Sequence, residues 1–317
     1  MKAIGGYFGL EIKNFTHYHP NALCFNSARK ALEFLLISRK YKCVYLPSYG
    51  CHTILDAVKK SHTDFKFYHV DFAFEIDSQL PHLKEDEAIL YINYFGLKNL
   101  YIKKLITRYR HQLIVDNSQA FFEYPTADCP YIYSPRKFFG VPDGGYLYAK
   151  NISTLGLERD ISSDNFKHLI LHIDKSPEEG YAHYKEAEKV ISKKPIRLMS
   201  KLTSSLLSNI DYAYAIRIRK RNYNILRHEL NELNELNLTF VNDAAVPMTY
   251  PLLHNDGELR NKLIAKKIYI ARYWPQTISE LNKVELNFQQ NLLPLPIDHR
   301  YDEKDMIYIA KTVMSWI

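Results

Sequence analysis

Over residues 27–148 the chain alternates short apolar runs with stretches of helical period, and this alternation limits what it can fold into. Residues 27–38 place Ala31, Leu32, Leu35 and Leu36 on one helical face, with Ser27 positioned to cap the first turn. Cys43-Val44-Tyr45-Leu46 reads as a strand ended by Pro47, residues 53–60 as a helix, and residues 65–70 and 88–92 as strands. A helix over 102–109 and a strand Leu113-Ile114-Val115 ended by Asp116 follow, then short strands at 131–133 and 146–148. Strand and helix in turn at this spacing imply an α/β chain with a mostly parallel sheet flanked by helices. Residues 163–237 are charged and helical in period. Beyond them, strands at Thr239-Phe240-Val241 and Ile268-Tyr269-Ile270 mix with helices over 257–266 and 303–316. A chain of 317 residues suits a large domain plus a smaller one. The expected division is a large domain at 1–190, then linking helices and a small C-terminal α/β domain at 191–317.

Composition narrows the function class. With 46% apolar and 24% charged residues the chain reads as an ordinary globular protein. A net charge of +7 favours small anions such as phosphates. It forms no basic stripe, so no nucleic-acid partner is expected. The densest basic run, Arg217-Ile218-Arg219-Lys220-Arg221, reads as the solvated face of a helix. The four cysteines, Cys24, Cys43, Cys51 and Cys129, include no CxxC pair, so no metal site is expected. No apolar stretch is long enough to span a membrane, and residues 1–10 lack the apolar core of a signal peptide. The expectation is a cytoplasmic protein with reduced thiols.

Ligands of open α/β sheets sit beyond the carboxyl ends of the strands. Three places there carry polar or small residues. Asn26-Ser27-Ala28-Arg29 opens the first helix, whose free N–H groups suit a phosphate as well as an ordinary Ser cap. Asp116 ends a strand and either faces the ligand crevice or caps the turn at Asn117 and Ser118. Ser134-Pro135-Arg136-Lys137 leads into Gly140, Asp143, Gly144 and Gly145. A lysine between a strand and a glycine-rich turn is a candidate Schiff-base amine, and such lysines sit in apolar or cation-rich surroundings. Arg136 and Phe138 flank this one. Lys137 with Asp116 supplies two needs of pyridoxal phosphate: an amine for the aldehyde and an acid to keep the pyridine nitrogen protonated. Ser27 and Ser134 suit the third, a phosphate cup.

With these residues in view, the sequence resembles the DegT/DnrJ/StrS family of sugar aminotransferases, which are fold-type I pyridoxal-phosphate enzymes. Asn26 to Leu32 is similar to the family's S-G-T-x-A-L helix start, and Tyr45-Leu46-Pro47-Ser48-Tyr49 to its V-x-x-P-S-Y. Val70-Asp71-Phe72 resembles V-D-I, and Tyr94-Phe95-Gly96 resembles H-L-Y-G-Q. Val115 to Ala120 is similar to E-D-A-A-Q-A, and Asp143-Gly144-Gly145 to the E-G-G after the lysine. Leu293-Pro294-Leu295-Pro296-Ile297 with Asp302-Glu303-Lys304-Asp305 resembles L-S-L-P-x-H and T-E-E-D. The chain departs at Ala28-Arg29, where the family has Gly-Thr. It departs again in the central G-Y-N-x-R-M segment, in whose region stand Glu179-Gly180-Tyr181-Ala182 and Met199-Ser200-Lys201-Leu202-Thr203.

The resemblance implies that Lys137 carries the cofactor and shuttles the proton. It implies that Asp116 pairs with the pyridine nitrogen, that Gln119 lies beside the ring oxygen, and that Ser27, Ala28, Arg29 and Ser134 hold the phosphate. An aromatic residue stands in the family where this chain has Cys51, and His52 is the nearest planar substitute. The implied reaction moves an amino group from a donor such as glutamate to a nucleotide-linked keto-sugar, as in polysaccharide biosynthesis, in a homodimer. Two other readings stay open: a pyridoxal-phosphate dehydration, in which related enzymes replace by His the lysine kept here, and a non-catalytic binding protein on the same scaffold.

Overall fold

The computed structural model of the chain describes residues 4–12, 15–77, 82–238, 244–275 and 278–317. Seven strands form one sheet: β1 (Leu23–Phe25), β2 (Cys43–Pro47), β3 (Asp64–Tyr68), β4 (Glu87–Ile92), β5 (Leu113–Asp116), β6 (Tyr131–Tyr133) and β7 (Gly145–Tyr148). Their order is β1-β7-β6-β5-β4-β2-β3. The strands from β2 to β6 pair in parallel, and β7 runs antiparallel to both its neighbours, β6 and β1. Every residue of β2, β4 and β5 is buried, as expected of parallel strands covered on both faces. At the edge, β3 alternates exposed and half-buried positions, with Asp64 and Lys66 facing solvent, which blunts an otherwise open strand.

Helices α1 (Ala28–Arg39), α2 (His52–Lys60) and α3 (Asn99–Tyr109) link the strands. The Ser27 hydroxyl caps α1 by accepting the Lys30 N–H at 3.2 Å. A second group of helices, α4 (Lys167–Asp174), α5 (Pro177–Lys193), α6 (Lys201–Leu207) and α7 (Tyr212–Leu230), fills the helical middle of the chain. Gly180 lets α5 press on α4: a Cβ there would stand 2.9 Å from the His168 carbonyl oxygen.

The C-terminal part holds the antiparallel pair β8 (Thr249–Leu253) and β9 (Leu292–Pro296), with α8 (Leu259–Ala265), α9 (Lys283–Asn291) and α10 (Glu303–Met314). Here the sequence expectation needs correction. The strand expected at Ile268-Tyr269-Ile270 does not form. The segment belongs to no regular element; its two isoleucines are buried and Tyr269 is exposed, and its backbone is satisfied elsewhere. The Ile268 N–H donates to Leu263 O at 3.0 Å, and Arg260 Nη1 donates to the carbonyls of Ile270 and Ala271 at 3.3 and 2.6 Å. The strand expected at Thr239-Phe240-Val241 lies outside the described residues. Instead β8 pairs with β9, where Pro251 stands opposite Pro294. A two-stranded ribbon tolerates these prolines because each strand has an outer side that needs no ladder partner.

The basic run of α7 is not a solvated face throughout. Arg219 is fully buried, lies 4.7 Å over the Phe138 ring and donates to Met248 O at 3.0 Å. It thereby ties α7 to the residue that follows Lys137.

Candidate active site

A cavity of about 340 Å³ opens at the carboxyl ends of the strands. Each wall is set by a nearby element. The turn after β1 brings Ser27, Ala28 and Arg29; the end of β5 brings Asp116; the segment after β6 brings Ser134, Arg136 and Lys137; the start of α2 brings Cys51 and His52. Every site residue expected from the sequence lines this space except Gln119. Its Oε1 accepts the Phe95 N–H at 2.7 Å, and its buried Nε2 has no partner among the described residues.

The turn at the start of α1, expected to hold a phosphate, is built by close backbone approach. Gly144 donates its N–H to Asn26 O at 2.9 Å and forms a bridge with Ser27. At Gly145 a Cβ would fall 2.2 Å from the carbonyl carbon of Ser27 and 2.3 Å from the Ala28 nitrogen, so only glycine fits. Gly144 itself has a φ of +123°, a conformation that side chains disfavour. Asp143 secures the turn from behind. Its carboxylate accepts from the Ser200 N–H at 3.0 Å, from the Ser200 hydroxyl at 2.9 Å, and from Thr203 Oγ1. Burial pushes this carboxyl up from its usual range, against the pull of those donors. The departures near residue 200 thus have a structural use: Ser200 caps α6 and clasps the glycine turn. On the other side Asn26 donates to buried Asp160 at 2.9 Å, and Lys194 reaches the same carboxylate at 2.8 Å. Nothing in the sequence around Asp160 marks this role, because its partners are remote along the chain.

Asp116 accepts the Ser118 N–H on Oδ1 at 2.8 Å, while Oδ2 takes no hydrogen bond among the described residues. It therefore caps its own turn and faces the cavity at once, which unites the two readings of this residue. The Lys137 side chain is exposed to the cavity and forms no hydrogen bond or ion pair among the described residues. Arg136 is held by Glu188 of α5, and Tyr184, Glu188 and Ile191 of that helix complete the wall. No sequence signal pointed to α5.

No family model matches the chain, and no curated protein is similar to it in sequence. Solved structures do share its shape. NtdA from Bacillus subtilis with bound cofactor PMP has a TM-score of 0.67 at 13% identity, over 93% of this chain and 72% of that one. Sugar aminotransferase CalS13 from Micromonospora echinospora gives 0.63 at 12%, over 93% and 87%. A DegT DnrJ EryC1 StrS aminotransferase from Brucella abortus gives 0.62 at 15%, over 93% and 85%. The fold is that of these aminotransferases. The expected fold class therefore holds, with a mostly parallel sheet, flanking helices and a smaller C-terminal α/β part.

Within this aminotransferase fold, Cys51 stands apart chemically from the other thiols. Burial would raise its pKa, but a hydrogen bond with His52, the nearby Lys137 charge and a hydrogen bond with Thr53 outweigh it and bring the thiol to about 7. The same contact raises His52. Burial pushes Cys24 up to about 11 and also raises Cys43 and Cys129. Because the thiolate is the reactive form, iodoacetamide is expected to alkylate Cys51 first, with a rate that rises as pH passes through about 7. Lys137→Met is expected to move that midpoint upward. Peptide mass spectrometry across a pH series checks this, and modification of Cys24 ahead of Cys51 would refute it.

Proposed function

We propose that the chain is a pyridoxal-phosphate-dependent aminotransferase that moves an amino group from an amino acid such as glutamate to a nucleotide-linked keto-sugar. One observation carries the reading: the unengaged amine of Lys137, the half-engaged carboxylate of Asp116 and the N-terminal turn of α1 open on one cavity. These are the amine, acid and anion cup that the cofactor needs, and the shared fold supports the assignment. Residues 1–190 would carry the cofactor, with 191–317 forming the linking helices and the smaller unit. We also assign the protein to the cytoplasm and to a homodimer; among the described residues no helix is long and apolar enough to cross a membrane.

The fit is chemical as well as spatial. The first N–H groups of α1 have no acceptor within the helix, and with Arg29 and Ser134 they suit a phosphate. When bound, pyridoxal phosphate supplies an electron sink for the carbon that loses its proton. Lys137 Nζ would hold the cofactor, take the proton from the donor's α-carbon and return it. Asp116 would keep the ring nitrogen protonated, and Cys51 and His52 would lie against the ring. Gln119 contributes by fixing the Phe95 backbone.

The test is the absorbance spectrum of the protein with pyridoxal phosphate, before and after glutamate. A visible band that shifts on adding glutamate, with amine appearing on a nucleotide-linked keto-sugar by mass spectrometry, is the expected result. A folded protein that shows no band would leave a binding protein on an aminotransferase scaffold.

A further inference from the structure

Glu188 reaches the cavity from α5 and gives one oxygen, Oε1, to Nη2 of Arg136. Arg136 directly precedes Lys137 in the single turn Pro135–Lys137, and both line the same space. Its Nε is buried and has no hydrogen-bond partner among the described residues. Nε and Nη2 form one edge of the guanidinium, the edge that a carboxylate grips with both oxygens. Glu188 thus satisfies half of that edge and leaves the other half bare, a costly state for a buried donor.

The two partners also differ in how firmly they are set. The Arg136 side chain is 16% exposed and belongs to the wall, whereas Glu188 is 41% exposed and stands at the rim. The carboxylate can return to water at small cost; the guanidinium cannot. The other charges of the cavity have work already. Asp116 would serve the ring nitrogen and Arg29 the phosphate, with Asp56 4.0 Å from the Arg29 Nη1. Arg136 is the cation beside Lys137 whose engagement is incomplete.

We propose that Arg136 is the receptor for the α-carboxylate of the amino-acid donor, and that Glu188 occupies this place until the donor displaces it. The inference rests on the aminotransferase reading and names the group that recognises the donor. A donor carboxylate on the Nε–Nη2 edge holds its α-amino group near the residue after Arg136, which is Lys137. Glu188 then acts as a built-in competitor that keeps the receptor paired while the site is empty.

The probe is glutarate, which has the donor's carboxylates but no amine. Its binding is measured by calorimetry on the full-length protein, with and without pyridoxal phosphate, for wild type, Arg136→Gln and Glu188→Gln. Arg136→Gln is expected to weaken glutarate by about tenfold or more, the value of a charge-assisted hydrogen-bonded pair, and Glu188→Gln to tighten it by a similar factor. Inorganic phosphate, which belongs at the turn of α1, is expected to bind Arg136→Gln as it binds wild type. If Arg136→Gln fails to fold, the tightening by Glu188→Gln carries the test alone. Equal glutarate affinity in wild type and Glu188→Gln overturns the proposal. So does a loss of phosphate binding in Arg136→Gln as large as the loss of glutarate. The spectral test with glutamate is independent: a protein that binds glutarate through Arg136 but shows no cofactor band refutes the transaminase reading and leaves Arg136 a carboxylate-binding residue with no donor role.

Discussion

Lys137→Ala is expected to abolish amine transfer while leaving the protein as stable as wild type. The side chain is exposed to the cavity and forms no hydrogen bond or ion pair among the described residues, so its removal leaves no void and no orphaned partner. Changes of this kind usually lie within about 0.5 kcal/mol of neutral. Its chemical role is of another order. Loss of a positioned base alone lowers the rate by about 10²–10⁴-fold, and here the same nitrogen is also the proposed attachment point of the cofactor. Borohydride makes a lysine–cofactor link permanent, so intact-mass measurement is expected to find the cofactor retained by wild type and lost from Lys137→Ala. Denaturant midpoints for both proteins complete the comparison. A variant that still transfers amine at a wild-type rate, or that unfolds far more easily, would overturn the assignment.

Gly145→Ala is the counterpart, a large loss of stability at a residue with no chemistry. A methyl group there would lie 2.2 to 2.5 Å from the carbonyl carbon of Ser27, its oxygen and the Ala28 nitrogen. All three are backbone atoms at the start of α1, so no rotamer relieves the clash. Either β1 moves off β7 or the turn at the start of α1 is displaced. Overpacking of ordinary side chains costs about 1–3 kcal/mol, and a clash with main chain on both sides of a ladder belongs at or above the top of that range. Cofactor affinity is expected to fall with stability, since the turn that moves is the proposed anion cup. Gly140→Ala is the control: a Cβ there meets only the tip of Leu169 at 3.4 Å. Equal denaturation midpoints for Gly145→Ala and Gly140→Ala would refute the argument.

The parts of this molecule that were legible in its sequence are those with a local cause. β2, β4 and β5 are unbroken apolar runs because both faces of a parallel strand are covered. α1 announces itself by its apolar face and its serine cap. Asp116, Ser134 and Lys137 stood out because they follow such runs, where ligands of α/β sheets collect. What escaped has non-local causes. β1 is three residues long, and its pairing comes from β7 and from residues 197–199. β8 and β9 carry prolines that argue against strands until one sees that they form a two-stranded ribbon. Ile268-Tyr269-Ile270 has a strand's alternation without a strand's neighbour. Glu188 and Tyr184 sit on a helix whose period says nothing of the cavity it faces. Arg219 was hidden in a run of charges, where three basic neighbours disguised a single buried guanidinium.

The position of β7 has a consequence for the order of assembly. β1 pairs with β7 on one side, and on the other Asn26 and Met199 hydrogen-bond across to Arg197 and Cys24. The proposed anion cup opens at the end of β1, yet both segments that hold that strand come far later in the chain. As the polypeptide leaves the ribosome, α1 emerges early with only its own Ser27 cap at the first turn; the strand partners that place that turn arrive with Tyr148 and then Met199. Contacts of such long sequence separation form late. The proposed cofactor cup is therefore among the last features of the large sheet to close, and ligand binding would report on completed folding.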